Sequence, residues 1–431
     1  MGMYSGGHGS GSRRRVGTKW YAQIECVPIH GSVNPIVNSQ KLLIRTSDLT
    51  VGTKVNFDLV DQSGLILLKA GSVFTQEVRD ELQRRGIETV TVVVRRRAET
   101  RSENELLLSS YDAEGVERIE RVFSSSENAI RSCVQETLTG KPADSNVLRQ
   151  QLDALYIETK QDASAVLAIL SSRINRLGGE QSQRLVERAV QFSWLSMVTA
   201  FHMRWNLSDT VASGLAAALH DVSLLTHPEF FDQSYRDQSQ RVFNSEYQRH
   251  PIESVELLHS AIGLNESILR GITQVHEQID SSGFPKGLRS NSISPIGRLL
   301  NVVDAYLEMV IPMFRSDGVV PADAVACLCW HASRGKFDRP VVQAFVQCVS
   351  MYPIGTPVEL SNSNRAIVVR SVPESPMQPM VVDVATGEAI DLQKTNLRII
   401  SPAKPIAGPN RRLARNELTQ VLWDNLHLVV P

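Results

Sequence analysis

The chain has 431 residues, which is too many for one compact core, so two or three domains are expected. Its formal net charge of -1 excludes a global electrostatic attraction to nucleic acid or to an anionic membrane. No run of about 18 apolar residues predicts a transmembrane helix, and the N-terminal arginines are not followed by the apolar core of a secretory signal. The five cysteines are irregularly spaced and are interpreted as reduced, buried residues. We therefore expect a cytoplasmic protein that binds neither DNA nor membrane.

The N-terminal part divides into a tail and a small module. Residues 1–38 are rich in Gly and Ser and predict a disordered tail. Residues 39–97 predict a small α/β module of β-β-α-β order, with strands at 55–60, 65–68 and 89–94 and a helix at 76–85. Thr75 is a candidate N-cap of that helix, and Gly86 stands where a glycine ends it. The module lacks a cluster of His, Cys or acidic residues, so no chemistry is expected there.

Helical patterns dominate the middle of the chain. Residues 98–177 are interpreted as a linker and helices, and residues 178–350 as one helical domain with apolar residues at i, i+3 and i+4. Ser208 is a candidate N-cap. The pairs His250-Pro251 and Ser294-Pro295 each predict the start of a helix, because proline is favoured at the first helical position.

The character of the sequence changes again after the helical domain. Residues 351–402 contain short apolar strands separated by Asn, Ser, Pro and Gly, which predict a small β domain. Residues 403–431 predict a C-terminal tail with a loosely docked helix. The fold class is therefore mainly α: an all-helical domain with a small N-terminal α/β module and a small C-terminal β domain.

Histidines and aspartates recur through the helical domain at intervals of about one helix plus one loop. They are His220-Asp221, His250, His276 and Asp304. Imidazole and carboxylate ligands suit Fe or Mn, with Zn as a further option, rather than a thiolate site. A loop with the sequence Gly283-Phe284-Pro285-Lys286 lies between the last two motifs.

This ordered set resembles the HD-GYP family of metal-dependent cyclic di-GMP hydrolases, with GFP in place of GYP and the sequence VVDAY around the last aspartate. The resemblance implies an all-helical domain that clusters metal ions and hydrolyses a phosphodiester. It implies as metal ligands His220, Asp221, His250, His276 and Asp304, with Asp221 also catalytic. It implies as substrate-binding residues Gly283, Phe284, Pro285, Lys286 and Arg298. The same loop would serve a signalling protein partner.

The sequence also departs from the family pattern at several functional positions. No histidine lies on the upstream helix around Ala189–Trp194. Leu224 stands where the family has a lysine, and Ser223 replaces the preceding glycine. Val275 replaces the first histidine of a His-His-Glu motif and cannot coordinate a metal. Two expected ligands and one cation are therefore missing together, whereas the aspartates remain.

Three hypotheses follow from this mixture. The first is a divergent, catalytically impaired HD-GYP protein of cyclic di-GMP signalling, which binds cyclic di-GMP, another cyclic dinucleotide or a protein partner. The alternative is an active, metal-dependent cyclic di-GMP phosphodiesterase with a reduced one-metal site. The third is a scaffold that forms a homodimer through helices in residues 115–175. The losses at Leu224 and Val275 favour the first and third hypotheses over an enzyme.

Overall fold

The computed structural model describes residues 39–55, 58–61, 66–69, 72–95, 102–174, 181–231, 244–261, 263–313, 318–403 and 410–413. The chain forms two compact units, residues 1–96 and residues 97–431. The described residues are mainly helical, with a small sheet near each end, and the predicted fold class is confirmed. The tail predicted at 1–38 and most of the tail predicted at 403–431 lie outside the described residues.

The first unit is a four-stranded antiparallel sheet with one helix. Its elements are β1 (Ser39–Arg45), β2 (Asp58–Val60), β3 (Ile66–Leu68), α1 (Gln76–Arg84) and β4 (Thr89–Arg95), and the sheet order is β1-β4-β2-β3. The Thr75 hydroxyl accepts a hydrogen bond from the Val78 amide, and Gly86 has a φ of 68°, so both predicted helix ends are confirmed. Strand β1 was not predicted, because its Leu-Leu-Ile run lacks a clear alternation.

The second unit combines helices with a second antiparallel sheet. Its described helices are α2 (Glu103–Leu108), α3 (Ala113–Leu138), α4 (Ser145–Ile174), α5 (Gln181–His202), α6 (Leu207–Leu219), α7 (Ser245–Leu257), α8 (Glu266–Thr273), α9 (Pro295–Val310), α10 (Pro321–Ser333) and α11 (Arg339–Val349). Its strands are β5 (Pro357–Leu360), β6 (Arg365–Arg370), β7 (Met380–Asp383), β8 (Ala389–Asp391) and β9 (Ile399–Pro402), in the order β8-β7-β6-β5-β9.

Helix α5 lies at the centre of this unit. Every residue from Arg188 to Ala200 is buried, which is typical of a helix surrounded by other elements. Helices α3, α4, α6, α9 and α11 all pack against it. The helices before residue 178 are therefore part of the same core as the histidine- and aspartate-bearing helices.

Two predicted helix starts are wrong and one is confirmed. Helix α6 begins earlier than predicted, because Asn206 rather than Ser208 accepts the hydrogen bond from the Asp209 amide. Helix α7 is capped by Asn244, and Pro251 lies inside it rather than at its first position. Ser294 caps α9, whose first residue is Pro295, as the sequence predicts.

The second sheet is built into the helical core. In β6, Ala366, Ile367, Val368 and Val369 are all buried, so both faces of this strand are covered. Helix α4 is broken at Asp162 (φ -152°, ψ 89°), whose carboxylate accepts a hydrogen bond from the Ala165 amide. The same carboxylate pairs with Arg370 through both terminal nitrogens, at 3.1 and 2.9 Å. The Arg370 guanidinium also lies over the Tyr111 ring. Arg370 therefore connects strand β6 with the kink of α4 and with Tyr111.

We expect Arg370→Ala to lower the free energy of unfolding by about 1 kcal/mol, because it removes a bidentate ion pair and a cation–π contact at a half-exposed site. Urea denaturation followed by far-UV circular dichroism measures the change. Lys394→Ala is the matched control, since Lys394 is exposed where it pairs with Asp391 and its removal should cost clearly less than that of Arg370. Equal losses in the two variants would contradict a special role for the Asp162 contact.

None of the described helices is long and apolar enough to span a bilayer.

Candidate metal centre

Four separate segments bring the predicted histidines and aspartates together. His220 and Asp221 directly follow α6, and His250 lies on α7. His276 lies in the turn after α8, and Asp304 lies on α9. All five side chains are buried. Among the described residues, Asp221, His250 and His276 form a group whose ligand-type atoms all lie within 4.8 Å of one another.

The distances define the arrangement of this group. Asp221 Oδ1 lies 3.3 Å from His250 Nε2, and Asp221 Oδ2 lies 3.0 Å from His220 Nε2. The Nε2 atoms of His250 and His276 are 3.0 Å apart. Asp304 lies on the far side of His276, with Oδ2 3.4 Å from His276 Nδ1. Asp221 is therefore the carboxylate that faces the imidazole rings directly.

Backbone carbonyls fix the tautomers of two of these histidines. His220 Nδ1 lies 2.8 Å from the Ala217 carbonyl oxygen, and His250 Nδ1 lies 2.6 Å from that of Tyr247. Carbonyl oxygens only accept, so each Nδ1 carries a hydrogen and each neutral ring presents a lone pair at Nε2. The Asp304 carboxylate faces the Nδ1 side of His276 at the longer distance of 3.4 Å. Outer-shell acceptors of this kind are typical of metal-binding histidines.

The resulting lone pairs fit a cation. The His250 and His276 Nε2 atoms would present lone pairs to each other at 3.0 Å if both rings were neutral. His220 Nε2 is buried and, within the described part of the chain, lacks a hydrogen bond of good geometry although Asp221 is 3.0 Å away. A divalent cation would remove the repulsion between the lone pairs of His250 and His276, and it would give His220 Nε2 a partner. Asp221, His250 and His276, with His220 beside them, are the residues that fit a metal ion.

The electrostatics of Asp221 and His276 agree with this assignment. Burial by itself would raise the pKa of Asp221, but His220 and His250 hold that pKa well below its usual range. Asp221 is therefore ionised at neutral pH. Burial lowers the pKa of His276, against the opposing effect of Asp304, so this ring is neutral and offers a lone pair. Burial also opposes the charging of His220, yet Asp221 raises its pKa overall.

The loop with the GFP sequence closes over this group. The Phe284 amide donates to the His276 carbonyl at 3.1 Å, and a Cβ atom at Gly283 would collide with the backbone of His276 and Gln278. The buried Glu277 carboxylate accepts hydrogen bonds from the Lys286 amide at 2.7 Å and the Leu288 amide at 2.6 Å. Gly283 and Glu277 together hold the loop against the segment that carries His276.

The predicted substrate-binding residues differ in their exposure to solvent and in their contacts. Phe284 is only 6% exposed, and its ring lies on that of His276 at a centroid distance of 4.7 Å. It therefore covers the group and does not present a free aromatic face. Pro285 is partly buried and Lys286 is exposed on the same loop. Arg298 contacts a carboxylate, that of Asp338 at the start of α11, at 3.0 Å.

Arg188 is a buried charged residue beside the centre that the sequence analysis does not single out. It lies on α5 among buried apolar residues, and its Nη2 atom contacts Asp304 Oδ1 at 2.8 Å and Glu308 Oε2 at 3.2 Å. The signal in the sequence was a single arginine in the apolar stripe of a buried helix, with Leu185 three residues before it and Phe192 four residues after it. Charged residues are rarely buried unless they are paired.

The positions that depart from the family pattern have packing roles. Leu224 is buried in a small cluster with Leu185, Phe230 and Met313. Val275 is buried in the main core, and its carbonyl accepts a hydrogen bond from Asn301 at 3.3 Å. Ser223 donates to the His250 carbonyl at 2.8 Å and accepts from Ser254, which ties the segment after Asp221 to α7. These side chains stabilise the centre and bring no charge to it.

His227 links the same segment to α7 through two carboxylates. Its Nδ1 lies 3.0 Å from Glu229 and its Nε2 lies 3.0 Å from Glu253. Partial burial acts to lower the pKa of His227, but the two glutamates raise it overall. A raised folded-state pKa stabilises the fold below the unfolded value of about 6.5, and this stabilisation is lost as the pH rises through the folded-state value.

We therefore expect His227→Gln to destabilise the protein by less than about 1 kcal/mol at pH 6 and by less still at pH 8.5, since the pairs are partly exposed. Urea denaturation at both pH values measures the difference. A double-mutant cycle with Glu253→Gln isolates the contribution of one pair. A loss of stability that is equal at both pH values would show that His227 acts by packing alone.

The comparisons with known proteins agree with the geometry. A family model described as the HD domain matches residues 166–341. Cyclic di-GMP phosphodiesterase PA4108 of Pseudomonas aeruginosa is 27% identical over 173 residues, 39% of this chain and 40% of that protein. Cyclic di-GMP phosphodiesterase PdeB of Borreliella burgdorferi is 24% identical over 234 residues, 53% of this chain and 60% of that protein. The chain thus matches less than two thirds of each relative's length.

A search of solved structures finds Bd1817, a HDG"Y"P protein from Bdellovibrio bacteriovorus, at 20% identity and a TM-score of 0.42, covering 71% of this chain and 98% of that one. The resemblance predicted from the His-Asp motifs is confirmed by the family match and by the named relatives. Residues 166–341 match the HD domain model, and the chain is similar at low identity to two proteins named cyclic di-GMP phosphodiesterase.

Proposed function

We propose that this protein acts in cyclic di-GMP signalling through an HD domain that holds one divalent metal ion, is catalytically impaired, and binds the nucleotide or a protein partner. The metal would be Fe or Mn, with Zn as a further option, and its ligands would include Asp221, His250 and His276. Two relatives named cyclic di-GMP phosphodiesterase support the choice of nucleotide. The GFP loop would form the binding surface.

The enclosure of the metal-binding group is the observation that carries this proposal. The Phe284 ring covers that of His276 at a centroid distance of 4.7 Å and a tilt of 30°, and the side chains of His220, His250 and His276 are almost inaccessible to solvent. A phosphodiester must bring its phosphorus next to the metal to be hydrolysed. The loop that would have to move is held by Glu277 through two short hydrogen bonds.

The residues around the centre would have distinct roles. The Nε2 atoms of His250 and His276 would hold the ion together with the Asp221 carboxylate. When bound, a divalent ion would supply Lewis-acid chemistry toward a phosphodiester. Lys286 is exposed on the GFP loop and would meet a phosphate of the nucleotide from outside the enclosed group. Leu224, in contrast, offers neither charge nor a hydrogen bond at the position where the family has a lysine.

A second candidate function is supported by the convergence of Asp221, His250 and His276. In this alternative the protein is an active cyclic di-GMP phosphodiesterase with a single metal ion, and it produces the linear dinucleotide or GMP. Asp221 would be the catalytic carboxylate. This function requires the GFP loop to open, so that the phosphodiester reaches the group that Phe284 covers.

Three measurements on the full chain test the proposal. Elemental analysis after reconstitution with Mn²⁺ or Fe²⁺ should give one ion per chain in the wild type and none in Asp221→Asn. Equilibrium dialysis with cyclic di-GMP should show binding that is weakened at least fivefold in Lys286→Gln. Lys141→Gln is the matched control, because Lys141 is exposed and lies in the turn between α3 and α4.

Product analysis separates the two candidate functions. The impaired protein should release no more linear dinucleotide or GMP from cyclic di-GMP than Asp221→Asn does. Turnover that is lost in Asp221→Asn would establish the phosphodiesterase instead. If the chain binds neither cyclic di-GMP nor a protein partner, the signalling proposal is rejected.

A further inference from the structure

Arg188 occupies a position beside the metal-binding group that is fully enclosed by protein. Its side chain is 4% exposed. One terminal nitrogen contacts Asp304 and Glu308, and the other donates to the Ile311 carbonyl oxygen at 3.0 Å. The guanidinium therefore links α5 to the end of α9 and to the loop that follows it.

The charge of this side chain is permanent. A guanidinium stays protonated in proteins, and carboxylates that surround it inside a fold are held in their ionised form. Burial acts to lower the pKa of Arg188, but Glu308, Asp304 and Asp221 raise it overall. A fixed positive charge is thus already present among the carboxylates to which a second metal ion would bind.

The contacts of Asp304 show how this charge affects the ligands. Its Oδ1 atom lies 2.8 Å from Arg188, and its Oδ2 atom lies 3.4 Å from His276 Nδ1. Both oxygens therefore have a neighbour other than a metal ion. The described group whose ligand-type atoms converge within 4.8 Å contains Asp221, His250 and His276 without Asp304. Asp304 supports His276 from behind.

We propose that Arg188 is a built-in cation that withdraws Asp304 from metal coordination and limits this HD domain to one metal ion. The inference rests on the metal centre of the proposed function. It reassigns Asp304, one of the five ligands that the family resemblance implies, as a positioning residue for His276. It also assigns a role to each aspartate of this centre. Asp221 would bind the metal ion, and Asp304 pairs with Arg188.

Metal stoichiometry tests this inference without an activity assay. Purified full-length variants are loaded with excess Mn²⁺ under anaerobic conditions, passed through a desalting column and analysed for metal and protein. The wild type should hold one ion per chain. Arg188→His, which removes the cation and adds a ligand beside Asp304 and Glu308, should hold two.

Two matched controls accompany this variant. Arg188→Lys keeps a positive charge and should stay at one ion. Arg184→Gln lies one turn earlier on α5 and loses a hydrogen bond to the Met313 carbonyl, not a carboxylate contact, so it should also stay at one. A wild-type chain with two ions would overturn the proposal, as would a folded Arg188→His chain that stays at one.

The substitution Asp304→Asn provides a measurement that does not depend on the folding of Arg188→His. An asparagine oxygen still accepts a hydrogen bond from His276, so this variant should keep one ion, whereas Asp221→Asn should lose it. Loss of the ion in both variants would make Asp304 a ligand and overturn the proposal. If the wild type binds no metal ion and Arg188→His does, the proposed metal centre of the wild type is rejected. The same result would support the inference that Arg188 excludes a metal ion. Absence of metal from both chains would reject both.

Discussion

Replacing Arg188 with methionine should lower the free energy of unfolding by about 3–5 kcal/mol at pH 7, the usual cost of removing one partner from a buried ion pair. Methionine fills a similar volume, so the loss comes from the charge. Asp304 and Glu308 would remain near the protein interior without their cation. Urea denaturation of the metal-free protein measures the change, since bound metal would add its own stabilisation.

The pH dependence distinguishes a charge effect from a packing effect. Burial acts to raise the pKa of Asp304, but His276 and Arg188 lower it overall. A carboxylate with a lowered folded-state pKa stabilises the wild type above its unfolded value of about 3.9, and this contribution is lost as the pH falls through the folded-state value. The gap between wild type and Arg188→Met should therefore narrow in acid.

A triple variant, Arg188→Met with Asp304→Asn and Glu308→Gln, provides the matched control. It removes the buried negative charges together with the cation, so it should recover at least half of the lost stability. A gap that stays constant from pH 7 to well below the unfolded-state pKa of about 3.9, or a triple variant as unstable as the single one, would attribute the loss to packing around α5 instead.

Replacing Glu277 with alanine should lower the free energy of unfolding by about 2–4 kcal/mol and loosen the GFP loop. Hydrogen bonds to charged groups contribute about 1.5–3 kcal/mol each, and Glu277 accepts two from the backbone. The expected total is smaller than their sum, because water reaches the exposed side of the loop at Lys286. Glutamine at this position keeps the size and one acceptor, so Glu277→Gln should lose less than half as much.

Hydrogen exchange locates the effect of Glu277. The amides of Lys286 and Leu288 should exchange faster in Glu277→Ala, whereas the buried amides of α5 should change only by the loss in global stability. Unchanged exchange at these two amides would mean that contacts of Phe284 and Gly283 hold the loop by themselves.

Much of the fold follows from local rules. Thr75, Gly86 and Ser294-Pro295 mark helix ends where the chain provides an unambiguous cap or stop. The prediction from His250-Pro251 is wrong because Asn244 provides a cap upstream, and Pro251 lies past the first turn, where proline is disfavoured. The burial of both faces of β6 depends on long-range packing against helices, which local patterns do not report.

The candidate site could be predicted in part. Asp221, His250 and His276 were found because ligand-type residues stood in a recognisable order. Whether Asp304 faces a metal or an arginine depends on α5, which lies more than 100 residues earlier in the chain. The exposure of Phe284 likewise depends on how Glu277 and Gly283 fold the loop back over His276. Such choices are made by tertiary contacts, not by spacing along the sequence.

The kink at Asp162 lies just outside the segment that the HD domain model matches. The family match begins at residue 166, just after the kink, whereas Leu148, Leu152 and Leu155 in the first half of α4 are fully buried in the core. A chimera that exchanges only residues 166–341 would therefore lose the native first half of α4, a helix that packs against α5 and α6. A piece of this protein that folds by itself should therefore include the first half of α4 and the second sheet, whose strand β6 is buried in the same core.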